Sequence, residues 1–181
     1  IRRDFDINGE TEIVYDGELS SVQAIQNASK AWIYGFEIGA EVNFSKALKL
    51  RSQYNVIGGT EDDNGIEVPV RHVAPNFGNT HLTWKKEKLQ FDVFAVYNSE
   101  LSFNQLAPSE YSKDYLYAKD DDGNPYSPSW YTLNLRAQYQ WKDKLTLTAS
   151  LENITDQRYR PYSSGISAAG RNLIVAVNYS F

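Results

Sequence analysis

The side chains able to do chemistry are few and set far apart. His72 and His81 are the only imidazoles in the chain. His72 stands beside a loop entry, where it could ligate haem iron or a metal chelate, the competing role being a hydrogen-bonded rim residue. His81 lies on a strand that a turn at residues 85–88 folds back, which sets it across from Asp92 as a polar pair. No Ser–His–acid set, and no nucleophile with a neighbouring base, can be assembled from the spacing, so no catalytic residue is assigned. The chain has no cysteine, hence no thiolate metal site and no disulfide framework. Two acidic stretches, 61–65 and 120–124, invite a calcium reading and fail its spacing. With Gly123 sixth, an EF-hand loop needs an acid at 118 and Glu at 129, where Ala118 and Ser129 stand; Thr60 and Arg71 occupy the matching ends of the other stretch. Both read as solvated turns. Neither a metal nor a cofactor is assigned.

What remains is binding. The longest irregular stretch, 99–129, holds Phe103, Tyr111, Tyr115, Tyr117 and Tyr126 among acidic residues. Loops are where a rigid scaffold carries binding groups, and Tyr offers large contact area at low entropic cost. His72, Tyr111, Tyr115, Tyr117 and Tyr126 are therefore the candidate ligand contacts. A second set, Glu37, Glu41, Arg51, His81, Asp92, Arg136 and Glu152, shares one face of the predicted strands and is expected to line a water-facing lumen with its charges paired across strands. Asn153 and Asp156 read as turn formers.

The elements that position these groups follow from alternation, because side chains on a strand point to opposite faces with period two. Trp32, Tyr34, Phe36, Ile38, Ala40, Val42 and Phe44 alternate with Ile33, Gly35, Glu37, Gly39, Glu41 and Asn43. A tight turn at 45–47 leads to Leu48, Leu50, Tyr54 and Val56 against Lys49, Arg51, Gln53 and Asn55. With Phe44 opposite Leu48, Glu41 meets Arg51 and Asn43 meets Lys49, which places opposite charges together. Strands follow at 78–84, 89–97, 131–141, 145–151 and 171–181, making seven. Residues 1–30 read as a long loop with one short strand near 11–15 and turn signals at Asn8-Gly9 and Asp16-Gly17. Residues 58–76 read as a loop.

Short turns follow the first, third and fifth strands, and long loops follow the second, fourth and sixth. That alternation marks a bacterial outer-membrane barrel with its short turns in the periplasm. Aromatics then collect at both rims: Trp32, Tyr97 and Tyr131 outside, Phe44, Trp84, Trp141, Tyr179 and Phe181 inside, as an interfacial girdle does. The mean hydropathy of −0.53 is compatible with this, since barrel strands are half polar. No run approaches the roughly 18 apolar residues of a membrane helix. A net charge of −5 argues against a nucleic-acid partner. A chain that starts at Ile1 and holds no methionine is expected to be a piece of a longer one.

Asn153-Ile154-Thr155-Asp156, then Tyr159-Arg160-Pro161-Tyr162, Ser164-Gly165-Ile166, Gly170-Arg171-Asn172 and the final Phe181 resemble the carboxy-terminal end of TonB-dependent outer-membrane receptors. The stretch from Arg71 through His72, Pro75 and Asn76 to Gly78 resembles a recurrent loop-to-strand entry of the same family, with Ala169 standing where a proline is frequent. The resemblance covers most of the chain from Trp32 onward. It implies an all-β, antiparallel transmembrane β-barrel segment of about seven strands from a 22-stranded barrel, residues 1–30 being an extracellular loop region and 31–181 carboxy-terminal barrel strands. It further implies outer-membrane energy-coupled import of a scarce nutrient: an iron-siderophore, haem, cobalamin or, in some lineages, a glycan. The implied partners are the plug and the other strands of the receptor, the TonB energy-coupling complex, outer-membrane lipid and the barrel-assembly machinery, for which Tyr179 and Phe181 would be the signal. Two rivals stand beside this reading. A soluble lipocalin-like carrier would turn the same apolar face toward a cavity, and an outer-membrane barrel enzyme would require a nucleophile set.

Overall fold

Alternating sequence over long stretches, broken by turn residues, produces one main antiparallel sheet, with small two-stranded sheets beside it. The computed structural model describes residues 2–4, 6, 9–25, 30–63 and 65–181; Asn8 and Asn64 lie outside the described residues. The first strands are short: β1 (Arg2–Asp4), β2 (Glu12–Tyr15), β3 (Glu18–Ser21) and β4 (Gln23–Ile25). Next come β5 (Ala31–Asn43), β6 (Leu48–Asp63), β7 (Ile66–Pro69), β8 (Phe77–Lys86) and β9 (Leu89–Asn98). Two two-residue strands, β10 (Ala118–Lys119) and β11 (Pro125–Tyr126), precede β12 (Trp130–Lys142), β13 (Leu145–Glu152) and β14 (Asn172–Tyr179). The main path runs β14-β13-β12-β9-β8-β6-β5, with β7 paired to the far end of β6.

Those seven path strands are the seven expected from alternation. The first hairpin has the expected register, Asn43 opposite Lys49 and Glu41 opposite Arg51, and Ser45 closes its turn by accepting the Ala47 and Leu48 amides at 3.1 and 3.0 Å. Three expectations need correction. The 58–76 stretch is only in part a loop: β6 continues to Asp63 and returns as β7, with Thr60 opposite Pro69. The Asp62 carboxylate accepts the Gly65 amide at 2.6 Å and closes the turn, and β-branched Ile66 and Val68 favour the strand. Residues 1–30 hold a hairpin rather than a lone strand, because Asp16 and Gly17 take φ of 51° and 84° and let β2 fold back onto β3. Such positive φ values suit a two-residue hairpin turn. The β8–β9 turn is also tighter than expected. Glu87 at φ 50° closes it in two residues, so Lys86 faces Leu89, Thr83 faces Asp92 and His81 faces Phe94.

The two faces of this sheet differ in an unusual sense. Asp92, Thr132, Asn134 and Ser150, all on the polar face, are buried, while Trp32, Phe36, Ile38, Val93, Tyr131, Leu173, Val175 and Val177 on the other are exposed. A sheet built for water does the reverse, since the hydrophobic effect disfavours exposed apolar area by roughly 25 cal/mol per Å². Hydroxyls on the apolar face satisfy one another: Ser52 and Thr80 share a hydrogen bond of 2.8 Å, and Thr80 and the Tyr97 hydroxyl one of 3.2 Å. Internal satisfaction is what a face without water requires. The sheet path ends at β5 and β14, which leaves two strand edges open to pairing. The isolated 181-residue chain is accordingly expected to associate in detergent-free buffer. Sedimentation velocity showing a monodisperse monomer that unfolds cooperatively would contradict the apolar-band reading.

Candidate functional site

The polar face carries a row of charged and polar groups in register across neighbouring strands, of which Glu41–Lys49 and His81–Asp92 are in ion-pair contact. Across neighbouring strands, Glu41 faces Arg51, Arg51 faces His81, Asp92 faces Arg136 and Arg136 faces Ser150. Glu37, opposite Asn55, and Glu152, opposite Asn172, lie on the same face. All seven residues expected to share a face therefore do so. The contacts run along diagonals as well as straight across. Glu41 pairs with Lys49 at 3.2 Å, and Gln53 donates to Glu37 at 3.5 Å. Asp92 takes His81 Nδ1 at 2.9 Å and the Thr83 hydroxyl at 3.1 Å. The His81–Asp92 contact thus survives the corrected register as a diagonal one, with the imidazole flat on the Phe94 ring at 4.8 Å. Arg136 also lies over the Phe94 ring, 5.4 Å from its centroid, and donates to Ser150 at 3.3 Å.

At one end of the sheet the long loops form a second layer. Residues 99–129 close at their neck, where Leu101 and Ser127 exchange two main-chain hydrogen bonds of 2.9 and 3.0 Å. Single 3-10 turns at Phe103–Gln105 and Pro108–Glu110 bend the chain so that Leu101, Leu106 and Tyr117 form a small core, with Tyr111, Leu116 and Tyr162 packed on it. Beneath that core sits Glu110, with no exposed surface. One of its oxygens takes Arg71 Nε at 2.5 Å and Lys113 Nζ at 2.6 Å, and the other accepts the Tyr117 hydroxyl. Tyr162 completes the group, bonded to Tyr117 and to the His72 main chain. Three loops, 70–76, 99–129 and 153–171, thus meet around one buried carboxylate. Burial pushes the Glu110 carboxyl up, but the bonds from Lys113 and Tyr117 and the charges of Lys113 and Arg71 outweigh it and hold it below its ordinary value. Burial first, and then the bond to Glu110, drive the Tyr117 phenol far up.

The five expected ligand contacts separate on this geometry. Tyr115 is 69% exposed, whereas Tyr117 is 4% exposed and belongs to the loop core. Tyr111 packs at a tilt of 34° against Phe103, with ring centroids 4.3 Å apart, Tyr126 lies in β11, and His72 takes φ 66° beside Arg71. Sequence reasoning missed Arg71 and Glu110. A lone Glu three residues before Lys113 carries no periodic signal, and its partner Arg71, in the 70–76 loop, is remote in sequence. Among the described residues no group of three acids, histidines or cysteines could hold a metal ion. The acidic stretch 120–124 is a turn in which Asp120 Oδ1 accepts the Asp122 and Asn124 amides at 3.0 and 2.7 Å.

Asn153 and Asp156 are turn formers with more reach than a local turn needs. Both take left-handed φ, 48° and 54°, which Asn and Asp tolerate best among side chains. The Asn153 amide group binds Gln157 O at 2.8 Å and Ala169 O at 3.2 Å, accepts the Gln157 amide at 2.9 Å, and its main-chain N–H reaches Asn134 Oδ1 at 2.9 Å. Asp156 Oδ1 accepts the Arg171 amide at 2.8 Å, and a Cβ at Gly170 would lie 2.7 Å from that same oxygen, so a larger residue there would have to displace it. The motif fastens both ends of the last loop to β12. Asn153→Ala is expected to lower stability by about 2–3 kcal/mol, through lost bonds to buried partners and a strained backbone. Asn153→Gly should recover the backbone share only. Denaturant titration of the bilayer-inserted receptor separates the two contributions.

An antiparallel sheet whose seven-strand main path buries polar residues on one face of its central strands and exposes an apolar-aromatic band on the other is a segment of transmembrane β-barrel wall. The TonB dependent receptor-like, beta-barrel family matches residues 5–154, and the chain belongs to that family. It is 27% identical over 168 residues to the Heme/hemopexin utilization protein C of Haemophilus influenzae, covering 90% of this chain and 21% of that protein. Among solved structures, the Copper transporter OprC superposes with a TM-score of 0.67 at 18% identity, over 90% of this chain and 24% of that one. The FrpB iron transporter from Neisseria meningitidis gives 0.63 at 16% identity, over 83% and 23%. These likenesses establish the partial barrel, in a family of outer-membrane receptors. The chain spans about a fifth of the length of the curated relative it matches.

Proposed function

We propose that this chain is the carboxy-terminal wall and loop layer of an outer-membrane receptor that imports a scarce nutrient under TonB-coupled energy, and that it performs no catalysis. The observation that carries the reading is the inverted sheet: polar residues of the central strands, Asp92, Thr132, Asn134 and Ser150, are buried while large apolar side chains on the other face are exposed. In this reading residues 31–181 are barrel strands and residues 1–30 an extracellular loop region. Glu37, Glu41, Arg51, His81, Asp92, Arg136 and Glu152 line the lumen and face the plug supplied by the rest of the receptor. Tyr179 and Phe181 at the periplasmic rim serve the assembly machinery. The loop layer closes over the ligand, with Tyr115, Tyr126, Tyr111 and His72 as contacts and Tyr117 acting through the packing of the loop. The haem-utilization relative favours an iron-bearing ligand, haem or a ferric chelate.

The test is growth of a Gram-negative host stripped of its own iron receptors and carrying the full-length receptor. Haemin and a panel of ferric siderophores are supplied singly as the iron source. Growth on one of them, lost when the energy-coupling complex is deleted, is the expected result. A surface-folded receptor that supports growth on none, with or without coupling, contradicts the proposal.

A further inference from the structure

Between the 99–129 and 153–171 loops lies a cavity of about 240 Å³, lined among others by Leu116, Trp130, Arg158, Tyr159 and Arg160. Its aromatic wall is built from two elements. Trp130 starts β12 on the face shared with Thr132 and Asn134, and Tyr159 of the last loop stacks on it with ring centroids 4.1 Å apart. Its charge is opposite to that of the chain. The lining holds two arginines and no acid, whereas the whole chain carries −5. Arg160 Nη1 donates to Tyr115 O at 2.8 Å, so it bridges the two loops with part of its donor fork still exposed. Arg158 is exposed and forms no ion pair with the described residues.

The cavity is also held open in advance. Its two walls belong to the loops that Glu110, Tyr117 and Tyr162 tie together below it, so little ordering remains to be done on binding, which favours affinity. A flat aromatic wall accepts a planar ring face-on or edge-on, and a free guanidinium recognises a carboxylate through paired donors. The volume falls below the about 300–1,000 Å³ of sites that enclose a whole drug-sized ligand, so the space suits a single ring.

We infer that this cavity is a subsite for one planar aromatic ring bearing a carboxylate, with Arg158 as the residue that selects for the charge. This rests on the reading of the loop layer as the ligand-capturing surface, and it assigns that surface a chemical preference.

The probes are benzoate, benzyl alcohol and cyclohexanecarboxylate, which separate charge from planarity. Each is titrated by saturation-transfer NMR against the full-length receptor and its Arg158→Ala and Arg158→Lys variants. Benzoate is expected to bind about tenfold tighter than either of the others, as one charge-assisted contact warrants. Arg158→Ala should remove that advantage, and Arg158→Lys should restore part of it. Equal binding of the three probes, or benzoate binding unchanged in Arg158→Ala, overturns the inference. The two readings fail separately. Growth on an iron source without benzoate selectivity rejects the subsite and keeps the receptor, while selectivity without growth on any source does the opposite.

Discussion

Arginine at Ile38 or Leu135 is expected to lower stability in a bilayer by about 2–4 kcal/mol, and arginine at Gln53 or Gln138 to change it little. The contrast follows from the pleat. Ile38 lies in the middle of β5 opposite Tyr54, and Leu135 in β12 lies between Val93 and Leu151. Ile38 is 58% exposed, so an arginine there meets whatever surrounds the sheet. If lipid surrounds it, the guanidinium must reach the interface or draw water inward, and the middle of a strand is the farthest point from either rim. Gln53 and Gln138 point the other way, toward Glu37 and Thr148 at 3.5 and 3.4 Å, where a charge joins a polar, hydrogen-bonding surface. Denaturant titration of the full-length receptor in vesicles measures all four variants. Equal losses on the two faces would show the pleat to be out of phase.

Glu110→Ala is expected to loosen the loop layer by about 2–3 kcal/mol. Removing one member of a buried ion pair costs about 3–5 kcal/mol where the partner is trapped; here Arg71 is 41% exposed at its side chain and Lys113 19%, so both cations can turn to water, and the loss is smaller. Tyr117 cannot, and its hydroxyl loses a buried acceptor. The measurement is hydrogen exchange at the Leu101 and Ser127 amides, which close the neck of the 99–129 loop. Faster exchange at both, with barrel amides unchanged, is expected; unchanged exchange would show that the neck holds without Glu110. The same carboxylate sets a pH limit. Its ionisation is favoured in the folded loop, so its contribution is complete above the ordinary carboxylate range and disappears as pH falls through the lowered folded value. Tyr117 and Tyr162, both raised, set the opposite limit, since stability declines as pH rises past about 10 where the unfolded phenols ionise. Protection of the neck should therefore be flat through neutrality and fall at acid pH.

Periodicity made the strands legible. Trp32 through Phe44, Tyr131 through Trp141 and Leu173 through Phe181 alternate over enough residues to fix both their existence and their pleat, and the seven residues of the shared polar face came with them. What alternation cannot fix is a turn's length. The β8–β9 register depended on whether two residues or four make the bend, and Glu87 in a left-handed conformation decided it against ordinary expectation for a glutamate. The β6–β7 extension was hidden because Gly58, Gly59 and three acidic residues look like a loop; pairing across the hairpin overrode their composition. Phe94 and Val96 broke the alternation of β9 by adding apolar groups to the polar face, and the structure uses Phe94 as a platform for His81. The loop layer was legible only as composition. That Tyr115 is exposed, Tyr117 buried and Tyr111 and Tyr126 half-buried follows from tertiary packing, in which Glu110 binds Tyr117 of its own loop and Arg71 of a neighbouring one and leaves no local trace.

The central claim is that apolar side chains of these strands face lipid while polar ones face the lumen. Spin-label accessibility along β12 tests it most directly. Single cysteines are placed at each position from Tyr131 to Gln140 in a cysteine-free full-length receptor, reconstituted in vesicles and labelled with nitroxide, and collisions with oxygen and with a water-soluble nickel chelate are measured. Odd-numbered positions from Tyr131 to Tyr139 should be oxygen-accessible and nickel-protected, with even-numbered positions in opposite phase. The reverse phase, or no period-two signal, would contradict the claim and turn the apolar face toward an enclosed cavity.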